Sequence, residues 1–493
     1  MTALAAEKAE VMSNELRWGG DAQGGAPYIF QDPVDPNHLI GFEVDLATLL
    51  AERLGRKAHP VQGPWDKLLE LLDRGDFDVA LNGIEVAEEK KRVCLLSRPY
   101  FVASERLTIR RDDAQAPRTM EALKGRRVGT LPGSLAERIL TRLGADVRTY
   151  EGGQDEIYDD LRLQRTDAVL LDGPVAKYYG DIDENLESLP QSFGEVQYAV
   201  AIPLGQPELK ARIDAALESM GKDGTLRALY ERWGLYTEQN AQLLGDGAAL
   251  GNVPAPEFER WRVAVGKLPS WKERLRTRYP SVLPLLAKGA VLTLGLSVLS
   301  MALAVLMGLW VAFLRRFGPR VMRVLAAGYV EFFRGTPLLI QLTMIYFGLP
   351  ELGLKLEPFW AGVLALGLNY AAAEAENYRA GLESVPVGQW EAAAVLGLSR
   401  GQTLRYVVGP QAVRIAIPPM TNDFIALLKD SSLVSLVTLT ELTKTYTNLA
   451  NAMRDHLGLG VLVALAYLLL GLPFAYLARR TEAYFGRHLK RAP

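Results

Sequence analysis

The chain has 493 residues, and its 55 Lys and Arg nearly balance 57 Asp and Glu, for a net charge of −2. That balance offers no broad basic surface for a nucleic-acid backbone, and the length leaves room for two or three domains. The first half is charged and mixed, whereas the second holds long uncharged apolar runs. A single cysteine, Cys94, excludes an intrachain disulfide and reads as a small buried apolar residue.

Residues 1–16 carry Glu7, Lys8, Glu10 and Glu15 with no apolar core, so they do not read as a secretory signal. From 16 to 235, short apolar strands alternate with amphipathic helices. Leu46, Leu49, Leu50 and Leu54 share a helical face over 43–54, and Leu68, Leu69, Leu71 and Leu72 belong to a second helix over 65–74. Residues 77–81, 127–129 and 168–171 read as strands. The pattern predicts an α/β fold with a mostly parallel sheet, whose ligands sit at strand C-termini and helix starts. Residues 236–259 read as a linker, rich in Gly and Pro. Residues 261–280 read as a basic amphipathic helix on a membrane surface or as a solvated helix.

Five apolar segments follow, near 285–314, 324–349, 358–375, 420–442 and 459–477, each about the length that crosses a bilayer. Arg334 lies in the second, and Glu374, Glu376 and Arg379 mark the end of the third. Lys429 and Asp430 fall inside the fourth, where charges are costly and usually functional. With Ser431 and Ser432 they are candidates for a translocation path. Between the third and fourth segments, residues 391–410 (EAAAVLGLSRGQTLRYVVGP) are helical, basic and not membrane-spanning, which places them on the cytoplasmic side. By parity, the loop holding Arg315, Arg316, Arg320 and Arg323 and the tail holding Arg479, Arg480, Arg487, Lys490 and Arg491 share that side. The first half then lies outside. The basic flank of Lys267, Lys272, Arg274, Arg276 and Arg278 opposes this, but several loops outweigh one flank. No G-x-x-x-x-G-K-[ST] phosphate loop and no His/Cys metal cluster occurs.

The 391–410 stretch resembles the EAA loop of ABC importer permeases: Glu391, Ala392, Ala393, Gly397 and Pro410 fall on its spacing, while Gly409 departs from the usual bulky aliphatic residue. In that family the loop docks into a groove of the ATPase. FFRGTPLLIQ (332–341) and QAVRIAIPPMTNDFIALLKDSSL (411–433) resemble the polar amino acid branch. The first half resembles the solute-binding proteins of the same importers, through APYIF (26–30), GFEVDLA (41–47), WDKLLELLDRGDFDVALNGIEV (65–86), SRPYF (97–101), VGTLPGS (128–134) and DAVLLDGP (167–174). The resemblance implies two α/β lobes closing on a ligand. Trp65 would pack on the ligand, while the family's first aromatic is replaced by the Gly24-Gly25 pair, with Tyr28 and Phe30 close by. Gly83 would offer backbone contacts, and Gly133 and Ser134 would offer a helix N-terminus to a carboxylate. Asp172 would take an α-ammonium. Lys90 stands where the family has Arg, keeping the charge but losing the fork. Glu85 stands where it has Thr or Ser. Glu85 is read either as a local ion pair with Lys90 or as a sign of a ligand with extra positive charge.

These readings give a solute-binding domain at 14–235, with lobe one at 14–108 and 197–235 and lobe two at 112–195. A linker at 236–280 and an all-α type I permease domain at 281–493 follow. The implied function is the receptor and permease subunit of an ATP-driven importer of a small polar solute, an amino acid above all. It would lie in the inner membrane with the receptor domain outside, as two copies with two separate ATPase subunits that hold ATP and Mg, and with no cofactor in this chain. The alternatives are a membrane-tethered dehydratase-like enzyme on the binding-protein fold, and a permease with a cytoplasmic ligand-sensing domain.

Overall fold

The computed structural model describes residues 14–150, 153–246, 254–266 and 269–489. The readings of 1–13, of Gly247, Gly251 and Lys267, and of Lys490 and Arg491 lie outside the described residues. Contacts divide the chain into two compact units, Met1–Leu283 with Thr447–Leu459, and Pro284–Tyr446 with Gly460–Pro493.

The first unit holds two five-stranded sheets, one per lobe. Lobe one is built on β1 (Glu15–Gly20), a short hairpin of β2 (Phe30–Gln31) and β3 (Leu39–Ile40), then β4 (Lys57–Gln62), β5 (Val79–Ala80), β6 (Leu95–Leu96) and, from the far end of the receptor sequence, β12 (Ala201–Ile202). β1 runs parallel to both β4 and β5, while β12 returns antiparallel to β5 and β6. Helix α1 (Phe42–Arg53) buries Phe42, Leu46 and Leu50, one residue per turn, and carries Glu43 and Asp45 in its first turn and Arg53 in its last, the arrangement the helix dipole favours. Gly41 starts it at φ 146°, where a Cβ would lie 2.0 Å from the Tyr28 carbonyl oxygen. The second helical stretch is a 3-10 turn at Trp65–Lys67 leading into α2 (Leu68–Asp73).

Lobe two is the sheet of β7 (Phe101–Arg110), β8 (Arg127–Thr130), β9 (Asp146–Thr149), β10 (Ala168–Asp172) and β11 (Leu186–Tyr198). β10, β8 and β9 are parallel neighbours, and β7 runs antiparallel to β10 and β11. The lobe boundary differs from the expected 108 and 197. β7 enters the second sheet at Phe101, and β11 stays in it through Tyr198, because the two strands pair along this whole length. Helices α3 (Leu135–Leu143) and α4 (Gln154–Arg162) pack on this sheet. α5 (Pro207–Lys222) and α6 (Thr225–Arg232) close lobe one, where Leu226, Leu229 and Tyr230 are buried.

The linker is structured where it was expected to be plain. α7 (Glu238–Leu244) is capped by Thr237, and its buried Asn240 accepts from Val102 N at 2.9 Å and donates to Val102 O at 3.1 Å, docking it on β7. α8 (Pro256–Val265) places Trp261 against Tyr178, with ring centroids 4.8 Å apart. The basic segment is therefore no separate surface helix: Trp261 is buried on the receptor, and the rest opens α9 (Trp271–Phe317). Residues Thr447–Leu459 also belong to this unit. Asn451 donates to Gln23 O at 3.1 Å, and Arg454 pairs with buried Asp155 at 2.9 Å.

The second unit is helical. Beyond α9 it contains α10 (Arg320–Gly335), α11 (Leu338–Thr343), α12 (Pro358–Glu383), α13 (Val387–Val395), α14 (Arg400–Thr403) and α15 (Gly409–Asp430), together with the start of α16 (Leu442–Met453) and most of α17 (His456–Leu489), whose Thr447–Leu459 portion belongs to the first unit. α9 and residues 456–481 of α17 are each long and apolar enough to cross a membrane. The expected second segment is two helices broken at Thr336-Pro337, since proline cannot donate into the ladder. Gln341 donates to the Phe333 and Thr336 carbonyls, at 3.0 and 3.1 Å, and so satisfies groups freed by the break. The expected fourth segment starts earlier, at Gly409, ends at Asp430 and continues as a short 3-10 helix, Ser431–Val437.

Candidate functional site

Asp172 ends β10, at the strand end where ligands of such sheets bind. Its Oδ1 accepts from Val175 N at 3.0 Å, capping the next turn. Its Oδ2 accepts from the Tyr28 hydroxyl at 2.5 Å and the Tyr198 hydroxyl at 2.7 Å. Tyr28 comes from lobe one, so the carboxylate ties the lobes together. Burial pushes the Asp172 carboxyl up, against the pull of those two hydroxyls.

Below it, Glu43 is fully buried. Its Oε1 accepts from Gly83 N at 2.8 Å and from the Tyr100 hydroxyl, and burial raises its pKa to about 7. The Gly83 N–H expected to face a ligand is thus already engaged. Trp65 is held by its indole N–H on the Asn82 carbonyl at 2.9 Å and by its backbone N–H on Asp21 at 3.1 Å. The Lys90 ammonium lies over the Trp65 ring, 5.9 Å from its centroid. Burial lowers the Lys90 pKa, with the Glu85 charge raising it.

Glu85 does not form the local ion pair with Lys90. It reaches across the cleft to lobe two, where Oε1 accepts from Leu135 N at 2.8 Å and Oε2 from Arg138 Nη2 at 2.7 Å. A guanidinium beside a helix N-terminus offers more directed donors than a lone ammonium. The start of α3 is therefore filled from within the chain. Gly133 N donates to Glu137 at 2.6 Å, and Ser134 Oγ accepts from Glu137 N at 3.2 Å. Arg138 was not among the sequence candidates, although it sits one helical turn after Ser134, the spacing that returns a long side chain to the helix start.

Glu105 was also missed. It lies directly opposite Asp172 in the β7–β10 register and is 3 % exposed. Burial raises its pKa well above the ordinary carboxylate value, the Asp172 and Glu85 charges add to this, and Arg138 works against it.

In the second unit, α13 ends in a turn at Gly397, whose φ is 77° and whose Cβ position is open. Glu391 and Ala392 are exposed and Ala393 is buried. Val395 and Leu396 are 88 % and 77 % exposed, beside the turn. Ser399 and Gln402 then form a capping box. Pro410 lies in the first turn of α15, and a Cβ at Gly409 would lie 2.4 Å from the Leu404 carbonyl oxygen, which accounts for the glycine there. Lys429 is exposed, Asp430 accepts from Tyr370 at 2.7 Å, Ser431 is buried and donates to Leu428 O at 2.8 Å, and Ser432 is half-buried. Lys429 and Asp430 are not brought together as a pair.

Residues 16–236 match the model of bacterial extracellular solute-binding proteins, family 3, and residues 304–484 match that of the binding-protein-dependent transport system inner membrane component. The glutamine transport system permease protein GlnP of Escherichia coli (strain K12) is 37 % identical over 206 residues, 41 % of this chain and 94 % of the relative. The chain belongs to the ABC importer permeases, with a solute-binding domain fused in front. The L-cystine-binding protein TcyJ of Escherichia coli (strain K12) matches the front half of this fused permease at 33 % identity over 210 residues, 42 % of this chain and 78 % of the relative. A solved ancestral amino acid-binding protein, a precursor of cyclohexadienyl dehydratase, is 32 % identical, covering 46 % of the fused permease and 98 % of that chain with a TM-score of 0.42. The fused permease is an inner-membrane transport subunit and not an enzyme.

Proposed function

We propose that this chain is the receptor and permease subunit of an ATP-driven importer for an amino acid. One observation carries the solute class: a closed cleft that holds an Asp172 carboxylate without a cationic partner and a Lys90 ammonium without an ion pair, among the described residues. An amino-acid zwitterion supplies both missing charges, its ammonium to Asp172 and its carboxylate to Lys90. The relatives, a glutamine transport permease and a cystine-binding protein, support the same class.

The receptor domain works on the outer side of the membrane and Glu391–Pro410 on the cytoplasmic side. A separate ABC ATPase dimer binds ATP and Mg and meets the Val395–Gly397 turn. Each chain has one such turn and a dimeric ATPase offers two grooves, so two copies assemble about a two-fold axis. The test is a thermal-shift screen of the full chain in detergent against the twenty amino acids. At least one should raise the melting temperature by a few degrees at saturation. No shift with any of them would overturn the reading.

A further inference from the structure

The amino-acid reading leaves one charge in the cleft without a role. The Glu105 side chain makes no hydrogen bond or ion pair among the described residues, yet the residue is 3 % exposed. Directly opposed residues in an antiparallel pair project from the same face, so Glu105 and Asp172 stand side by side. The charged and titratable groups that face it are Asp172, Glu85, Arg138 and Tyr198. Arg138 is the sole cation among these, and Glu85 holds it at 2.7 Å. Asp172 and Glu105 are therefore two carboxylates with no cation, against the one unpaired ammonium of Lys90. A zwitterion with a neutral side chain satisfies Asp172 and Lys90 and leaves Glu105. Burying an ionised carboxylate beside another without a partner is expensive, and the group either takes a proton or takes a cation.

We propose that Glu105 sets the specificity of the cleft, and that the solute is an α-amino acid whose cationic side chain pairs with Glu105. This rests on the amino-acid reading above. It moves the source of cation preference from Glu85, which is neutralised inside the protein, to a residue that is not. Burial, with the Asp172 charge, raises the Glu105 carboxyl well above its ordinary range and so favours a bound proton there. Pairing with a cation requires the carboxylate, so binding releases that proton and affinity rises with pH.

The experiment is isothermal titration of the full chain in detergent with L-lysine, L-arginine and L-glutamine, each in two buffers of different ionisation enthalpy. Lysine or arginine should bind at least about 30-fold more tightly than glutamine and release a proton, the discrimination typical of one desolvated charge pair. Glu105→Gln keeps the shape and removes the charge. It should cost the cationic ligand about 30-fold or more, leave glutamine within about threefold, and abolish the proton release. Wild-type binding of glutamine as tight as that of lysine and arginine overturns the inference and leaves the amino-acid reading standing, as does an unchanged ranking in Glu105→Gln. Absence of binding by any amino acid sinks both. Should Glu105→Gln fail to fold, the wild-type ranking and its proton release decide alone.

Discussion

The two units prepare for their partners in opposite ways. The receptor cleft takes carboxylates out of water: Glu105 is buried and Asp172 half-buried, and the one cation facing Glu105, Arg138, is already held by Glu85. The turn after α13 does the reverse and puts Val395 and Leu396 into solvent within a basic stretch. A buried carboxyl without a partner either keeps a proton or takes a cation, so a small charged solute can complete it. An exposed apolar turn is suited to a protein groove. Each unit thus advertises a different kind of partner, and each should be separable from the other by mutation.

The strongest separation is at Asp172. Asp172→Ala should nearly abolish binding of every amino acid, since removing one partner of a desolvated contact costs about 2–5 kcal/mol. Basal ATP hydrolysis by the assembled transporter should not change. Titration showing affinity within tenfold of wild type would break the assignment. Next is Gly397→Val, which forces a β-branched residue into a left-handed conformation. Ligand affinity should stay as in wild type while ligand-stimulated hydrolysis is lost, and normal stimulation would remove the turn from coupling. The smallest effect is expected of Glu85→Thr. Arg138 is one-third exposed and can turn to water, so the loss is on the order of 1 kcal/mol or less. The ranking of ligands should be unaltered, in contrast to Glu105→Gln. A ranking that shifts toward neutral amino acids in Glu85→Thr would restore Glu85 as the charge selector.

The helices and strands of the receptor were legible because their apolar spacing is regular, and Cys94 is buried as its type suggested. Partners across the cleft were not legible. Glu85 and Lys90 are near in sequence, but closure brings Glu85 to Arg138, and nothing local encodes that. Glu105 did leave a trace. Phe101, Ala103, Leu107 and Ile109 occupy the buried phase of β7, and Glu105 falls on that phase. A charge in the apolar register of a strand is the signal that was available. The docking of α7 rests on scattered polar contacts, Asn240 to Val102 and Asp246 to Arg227 and Tyr236, which leave no apolar period, so composition alone read that segment as a linker. In the second unit, Thr336-Pro337 announced the helix break, but the apolar run on both sides masked it.

β7 and β11 are the strands by which the chain passes between the lobes, and they also carry Glu105 and Tyr198. The residues that read the solute are thus part of the mechanical joint. In a lock built this way, recutting the key alters the hinge. A substitution that retunes selectivity at Glu105 or Tyr198 also changes the stiffness of the joint, so the rate of closure and the choice of solute are inherited together. New selectivity is better sought at Trp65 or Lys90, which belong to one lobe alone and leave the crossover strands untouched.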